Sequence, residues 1–310
     1  ATYDGIEKFR VEEYKDLLKD SCSRLRKWPQ FLEFGRDELS SALVQSILYS
    51  MKGVDDAECK IYIAKVTQEC FLPGNKEIRS TIFDTECSVR ILESCLAVSG
   101  PEQFIDIYEK YFEGHLRQLS LSAGANFSVQ RLLDHCPTKE CYEKIYEELS
   151  GHLSQICQSG NTGVLASLGN ACLRLQTKQG AFVKGMSAAA ETIGGGCQKR
   201  TIVAIVGLAA RERPTEEEGS GGTMFPITLH GSLIVQAILN FNKPIQLVNS
   251  LLDMSGEEIV HLFCDPKGSR IADAFIESKY IGEKSREKLA KKLKGCWYQK
   301  IQHRAFDTAP

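Results

Sequence analysis

"GANFSVQRLLDHC", residues 124–136, places two different stripes on one short helix. Val129, Leu132, Leu133 and Cys136 fall at i, i+3, i+4 and i+7, the apolar face of a helix packed on neighbours. Asn126, Phe127 and Gln130 fall at i, i+1 and i+4 on the other side. A phenyl ring flanked by two amides is an odd choice for a face that meets only water. The first stripe predicts packing. The second predicts a task for the outer surface.

The same frame recurs along the chain. "SALVQSILYSM" starts at Ser41 and "SLIVQAILNFN" at Ser232, each with a small polar residue, then Gln45 or Gln236 four positions on, then an aliphatic pair. "SRIADAFIESK" from Ser269 holds Asp273 in the Gln position, "ECSVRILESCL" from Glu86 holds Arg90, and "TGVLASLGNAC" from Thr162 is a weaker copy. The starts are separated by 45, 40, 36, 70 and 37 residues. The fourth interval is about twice the others, so a degenerate unit is expected near Cys197, in "GGGCQKRTIVAIVGLAA". Helical periodicity fills the rest, broken by short clusters such as "PGN" at Pro73, "SGP" at Ser99 and "SGNTG" at Ser159. An all-α array of helical units follows, seven or more in a single domain over 1–310, each touching mainly its neighbours and together lining a concave surface. The acidic, Gly-rich stretch 211–223 is expected to be a flexible loop.

Composition sets the limits on function. The chain has 310 residues, 43% of them hydrophobic and 25% charged, ordinary for a globular protein. The longest strongly apolar run, Thr201–Ala210, is shorter than the roughly 20 residues a membrane span needs. No secretory signal is expected in the charged opening "ATYDGIEKFRVEEYKDLLKD". A net charge of −2 confines any nucleic-acid contact to a local surface. The basic run from Lys284 to Arg304 suits phosphates or a nuclear address equally with a solvated helix face. Twelve scattered cysteines without a CxxC pair predict buried thiols. Cys136, Cys141, His152 and Cys157 have a stretched zinc-like spacing, but the segment between them reads as helix, and no metal or cofactor is expected. Catalysis has little support: "IGGGCQKRT" lacks the phosphate-loop order, and neither HExxH nor Gly-x-Ser-x-Gly occurs.

Polar groups at i and i+4 can bracket the edge of a flat ligand while the residue at i+1 covers its face, which would allow a single-stranded base to be read by each helix. On "ANFSVQ", "GSLIVQ" and "GSRIAD", and on "TLHGSLIVQAILNFNKP" and "CDPKGSRIADAFIES" with the Lys-rich helix that follows, the chain resembles the Pumilio (PUF) repeat family, and most of all its divergent nucleolar members. The resemblance implies a right-handed superhelix that binds single-stranded RNA, pre-ribosomal RNA in small-subunit assembly, in the nucleolus. It also implies ribosome-assembly proteins as further partners, a monomeric state, and a last unit left incomplete at "WYQKIQHRAFDTAP".

By resemblance, Asn126 and Gln130 read uracil with Phe127 stacking, both amides being able to donate and accept. Ser41 with Gln45 and Ser232 with Gln236 read adenine, beside the weak stackers Ala42 and Leu233. Ser269 with Asp273 reads guanine, with Arg270 stacked on the base. Glu86 with Arg90 and Thr162 with Ala166 depart from the pattern and are assigned no base. An antiparallel strand then reads 5′ G, A, two unspecified positions, U, one unspecified, A 3′. Arg131, Lys199, Arg200, Lys267 and Arg270 are expected to form a positive track for phosphates. The rival expectation is a protein-binding scaffold, which needs no such track.

Overall fold

The structure, a computed structural model, describes residues 12–71, 82–83, 85–193, 201–208 and 225–307. Among these every regular element is helical and no strand occurs. The chain divides into two compact units, Ala1–His115 and Leu116–Pro310.

In the first, Glu12–Arg26 precedes a short 3-10 turn at Phe31–Gly35, and helices follow at Glu38–Met51, Asp56–Lys65, Glu86–Val98 and Pro101–Tyr111. The two helices that carry the stripe, Glu38–Met51 and Glu86–Val98, pack side by side. Val44, Leu48 and Met51 on one and Ile91, Leu92 and Cys95 on the other are buried. Each such side chain removed from water contributes about 1.5–3 kcal/mol, so the apolar periodicity decides which side of each helix turns inward.

The second compact unit repeats a three-helix theme four times. A short helix is followed by a stripe helix and a third helix: Leu116–Leu121, Asn126–His135 and Lys139–Ser150, then Leu153–Ser159, Thr162–Leu175 and Gln179–Ile193. Thr201–Val206, Leu229–Leu239 and Ile245–Asp253 come next, then Gly256–Cys264, Ser269–Glu277 and Glu283–Asp307. In every repeat the short helix packs on both its stripe helix and its third helix, and each stripe helix packs on the next.

One sequence expectation is corrected by this packing. Thr162–Leu175 lies directly against Leu229–Leu239, and Thr162 Oγ1 shares a 2.9 Å hydrogen bond with His230 Nδ1. No unit separates them. The apolar stretch read as a degenerate repeat supplies Thr201–Val206, whose buried Ile202, Ile205 and Val206 make the contacts of a short first helix. The 70-residue interval is therefore one unit with a long connection, and six stripe helices stand among the described residues. Cys197 and residues 211–223 lie outside them.

Local chemistry sets the helix ends. Asp37, Asp55, Thr85, Thr138 and Thr228 each accept a hydrogen bond from a backbone N–H in the first turn they precede, and Ser255 with Glu258 completes a capping box. At the other ends a neighbouring repeat often supplies the cap. Lys52 Nζ donates to Ala97 O at 2.6 Å, and Arg174 donates to Cys136 O at 2.7 Å and Leu133 O at 3.0 Å. Lys292 Nζ likewise reaches Leu252 O, and Met254 O at 2.6 Å. These carbonyls have no partner within their own helices.

Candidate nucleic-acid interface

The residues that open the stripes, Ser41, Asn126, Thr162 and Ser232, are each 4% exposed or less. Their hydrogen bonds are made inside the protein. Ser41 Oγ donates to Cys87 O at 3.2 Å and accepts from Gln45 Nε2 at 3.2 Å. Ser232 Oγ donates to Lys267 O at 2.7 Å and accepts from Gln236 Nε2 at 2.9 Å. The two sites are built alike, and in each the carbonyl stands at the start of the next stripe helix. Gln45 and Gln236, both half-buried, keep one Nε2 hydrogen and the whole of Oε1 for an outside partner.

Asn126 achieves the same result differently. Its Nδ2 hydrogens go to Ser122 O at 2.9 Å and Ala123 O at 2.8 Å, and its Oδ1 accepts from Gln130 Nε2 at 2.9 Å. Both donors of Asn126 are committed, which narrows the expectation that both amides donate outward. The second Nε2 hydrogen of Gln130 is the donor this pair can offer, with Gln130 Oε1 and one Asn126 lone pair as acceptors. Phe127 stands beside them with 60% of its surface exposed. A ring so open on a helix anchored by Val129, Leu132 and Leu133 presents a flat apolar face to anything planar that approaches.

The remaining predicted positions separate into four kinds. Ser269 Oγ donates to Pro266 O at 3.1 Å, and the Asp273 carboxylate pairs with Arg270 at 3.6 Å on the exposed side of the same helix. Glu86 and Arg90 pair with each other across one helical turn at an exposed site, the solvated arrangement of neighbouring charges. Thr162, Gly163 and Ala166 are all buried and present no outward amide. Ala42 is exposed and Leu233 half-buried at the i+1 positions.

The cations behave less uniformly than their sequence positions suggest. Lys267 Nζ donates to Ile227 O at 3.0 Å, and Arg286 donates to Ser278 O at 2.7 Å. Arg131, Lys284, Lys288 and Lys291 are exposed. Lys199 and Arg200 lie outside the described residues.

Sequence reasoning missed four participants. The carbonyls of Cys87 and Lys267 hold the serines, and backbone groups leave no mark in a side-chain pattern. His230 holds Thr162, and burial keeps its imidazole below its ordinary pKa and so favours the neutral form. Gly163 stands against Gln130, a contact whose only sequence signal is a glycine inside a helix.

Comparison with known proteins places these features. The profile of the NOP9-like PUF repeat domain matches residues 12–302. The human protein "Nucleolar protein 9" is 30% identical over 225 residues, covering 68% of this chain, which spans only 35% of that protein's length. Solved structures of APUM23 with the strands GGAGUUGACGG and GGAUUUGACGG superpose with TM-scores of 0.75 and 0.72, each at 22% identity. They cover 88% and 90% of this chain and 52% of theirs, a likeness of fold. Stripe helices packed one on the next fit that fold, and with the family profile matching residues 12–302 the chain belongs to the NOP9-like PUF repeat family.

Proposed function

We propose that the chain binds single-stranded RNA without catalysis, one nucleotide per stripe helix, through the outward amides of Gln45, Gln130 and Gln236 and the carboxylate of Asp273. The observation that carries this reading is the recurrence of one geometry. A buried first residue fixes one end of a glutamine amide and leaves a donor and an acceptor side by side at the surface, which is what a base edge requires. Phe127 and Arg270 add stacking faces.

Because Thr162–Leu175 packs directly on Leu229–Leu239, the second compact unit reads 5′ G, A, one free position, U 3′, one free nucleotide fewer than interval arithmetic gave. The strands in the APUM23 structures follow that order: G and A, a fourth letter that is G in one and U in the other, then U. The free position falls at the helix whose outer side is Thr162, Gly163 and Ala166. Ser41 with Gln45 provides an adenine site in the first compact unit. The name of the human relative supports a nucleolar setting, and we assign the RNA to the pre-ribosomal class, bound by a monomer.

Fluorescence anisotropy with a labelled strand containing G-A-N-U, a shuffled strand and a duplex, at two salt concentrations, tests the reading. Order-dependent binding that weakens with salt is expected. Equal, weak binding of all three would replace it with a protein-binding role, for which exposed Leu39 and Leu43 beside the Ser41 site are the best anchor.

A further inference from the structure

Gly163 occupies the second position of a stripe, where Asn126–His135 carries Phe127 and Ser269–Glu277 carries Arg270. It is buried and helical, so no turn demands a glycine there. A Cβ at this position would lie 2.7 Å from both Nε2 and Oε1 of Gln130 and 2.8 Å from its Cδ, closer than non-bonded carbon tolerates. The glycine is thus accounted for by a side chain of the preceding repeat. The same position holds Cys87 after the Gln45 repeat and Arg270 after the Gln236 repeat, so a glycine is not a requirement of the fold.

We propose that Gly163 determines the specificity of the preceding repeat: the bare helix backbone at this position seats the Gln130 amide. Asn126 Oδ1 holds one end of that amide at 2.9 Å, Asn126 is itself held by Ser122 O and Ala123 O, and Gly163 closes the remaining side. Two repeats therefore fix one reading group. This inference rests on the reading of Gln130 as a base reader. Gly163 touches no base and acts through Gln130. The three atoms nearest an added methyl group all belong to the far end of the flexible Gln130 side chain, so the fold survives while the donor and acceptor lose their aim.

The experiment compares wild type with Gly163→Ala, using G-A-N-U strands in which the U, or separately the A, is replaced by each other base. Alanine is the better helix former, so the variant is expected to melt about 2 °C higher. Its preference for U falls about fivefold, the worth of one lost hydrogen bond. Its preference for A, read at Ser232 and Gln236, stays at the wild-type level. In a Gln130→Ala background, Gly163→Ala has no further effect on base preference. An unchanged preference for U in the single variant overturns the seat. A lower melting point with both preferences reduced overturns it too, because Gly163 would then serve packing. A wild type with no preference for U removes the role of Gln130, which is a different failure with a different signature.

Discussion

The adjacent helices Asn126–His135 and Thr162–Leu175 share an inner side and differ completely on the outer one. Val129, Leu132 and Leu133 on the first and Val164, Leu165 and Leu168 on the second are fully buried. Outward, the first offers an open ring and a tethered amide, and the second offers a buried threonine, a glycine and a buried alanine. The apolar core of both helices is built by the inner side. On the outer side, the exposed ring and the amide carry recognition on the first helix and are absent from the second.

The largest effect should show that the two helices are equals as structure. Leu132→Ala and Leu168→Ala are each expected to lower unfolding free energy by about 2–5 kcal/mol in urea titration. A cost confined to one of them would break the comparison. Phe127→Ala should separate structure from recognition: the melting temperature holds, because the ring is largely exposed, while RNA affinity drops by about 1–3 kcal/mol in anisotropy. A melting point that falls with affinity would make Phe127 part of the packing.

Ser232→Ala extends the contrast to a third helix. It removes the tether of Gln236 and leaves the Lys267 carbonyl without its donor, so about 1 kcal/mol of stability is lost together with adenine preference. Loss of stability with preference intact would mean that Gln236 holds its orientation unaided.

The smallest effect is in pH. Burial holds the His230 pKa below its ordinary 6.5, so the stability tied to the neutral ring is fully present above 6.5 and is lost as pH falls towards the lower, folded-state value. Thermal melts from pH 7 to pH 5 should therefore fall less steeply in His230→Gln than in wild type. Parallel slopes would show that protonation of His230 does not oppose folding.

The repeat was readable because its inner and outer stripes leave two periodic marks in the same frame, Val44, Val129 and Val235 before Gln45, Gln130 and Gln236. Its count was not, because interval arithmetic cannot distinguish a missing repeat from a long connection. Packing of Thr162–Leu175 on Leu229–Leu239 can. The reading groups were visible as residue types, but their free hydrogen-bonding atoms were not. Asn126 looks like a donor until Ser122 O and Ala123 O are seen to take both of its hydrogens. The ammonium of Lys267 looks like a free cation in sequence, whereas one of its hydrogens is held by Ile227 O and two remain for an outside partner.

The serine tethers have a practical consequence. Ser41 is bonded to Cys87 O, Ser232 to Lys267 O, and Gln130 rests on Gly163, so each of the three glutamine reading groups is finished by the stripe that follows it. These repeats are not interchangeable cassettes. A graft cut at the repeat boundary would carry the letter and leave behind the part that aims it, and a designed array built from this chain should be assembled from overlapping pairs.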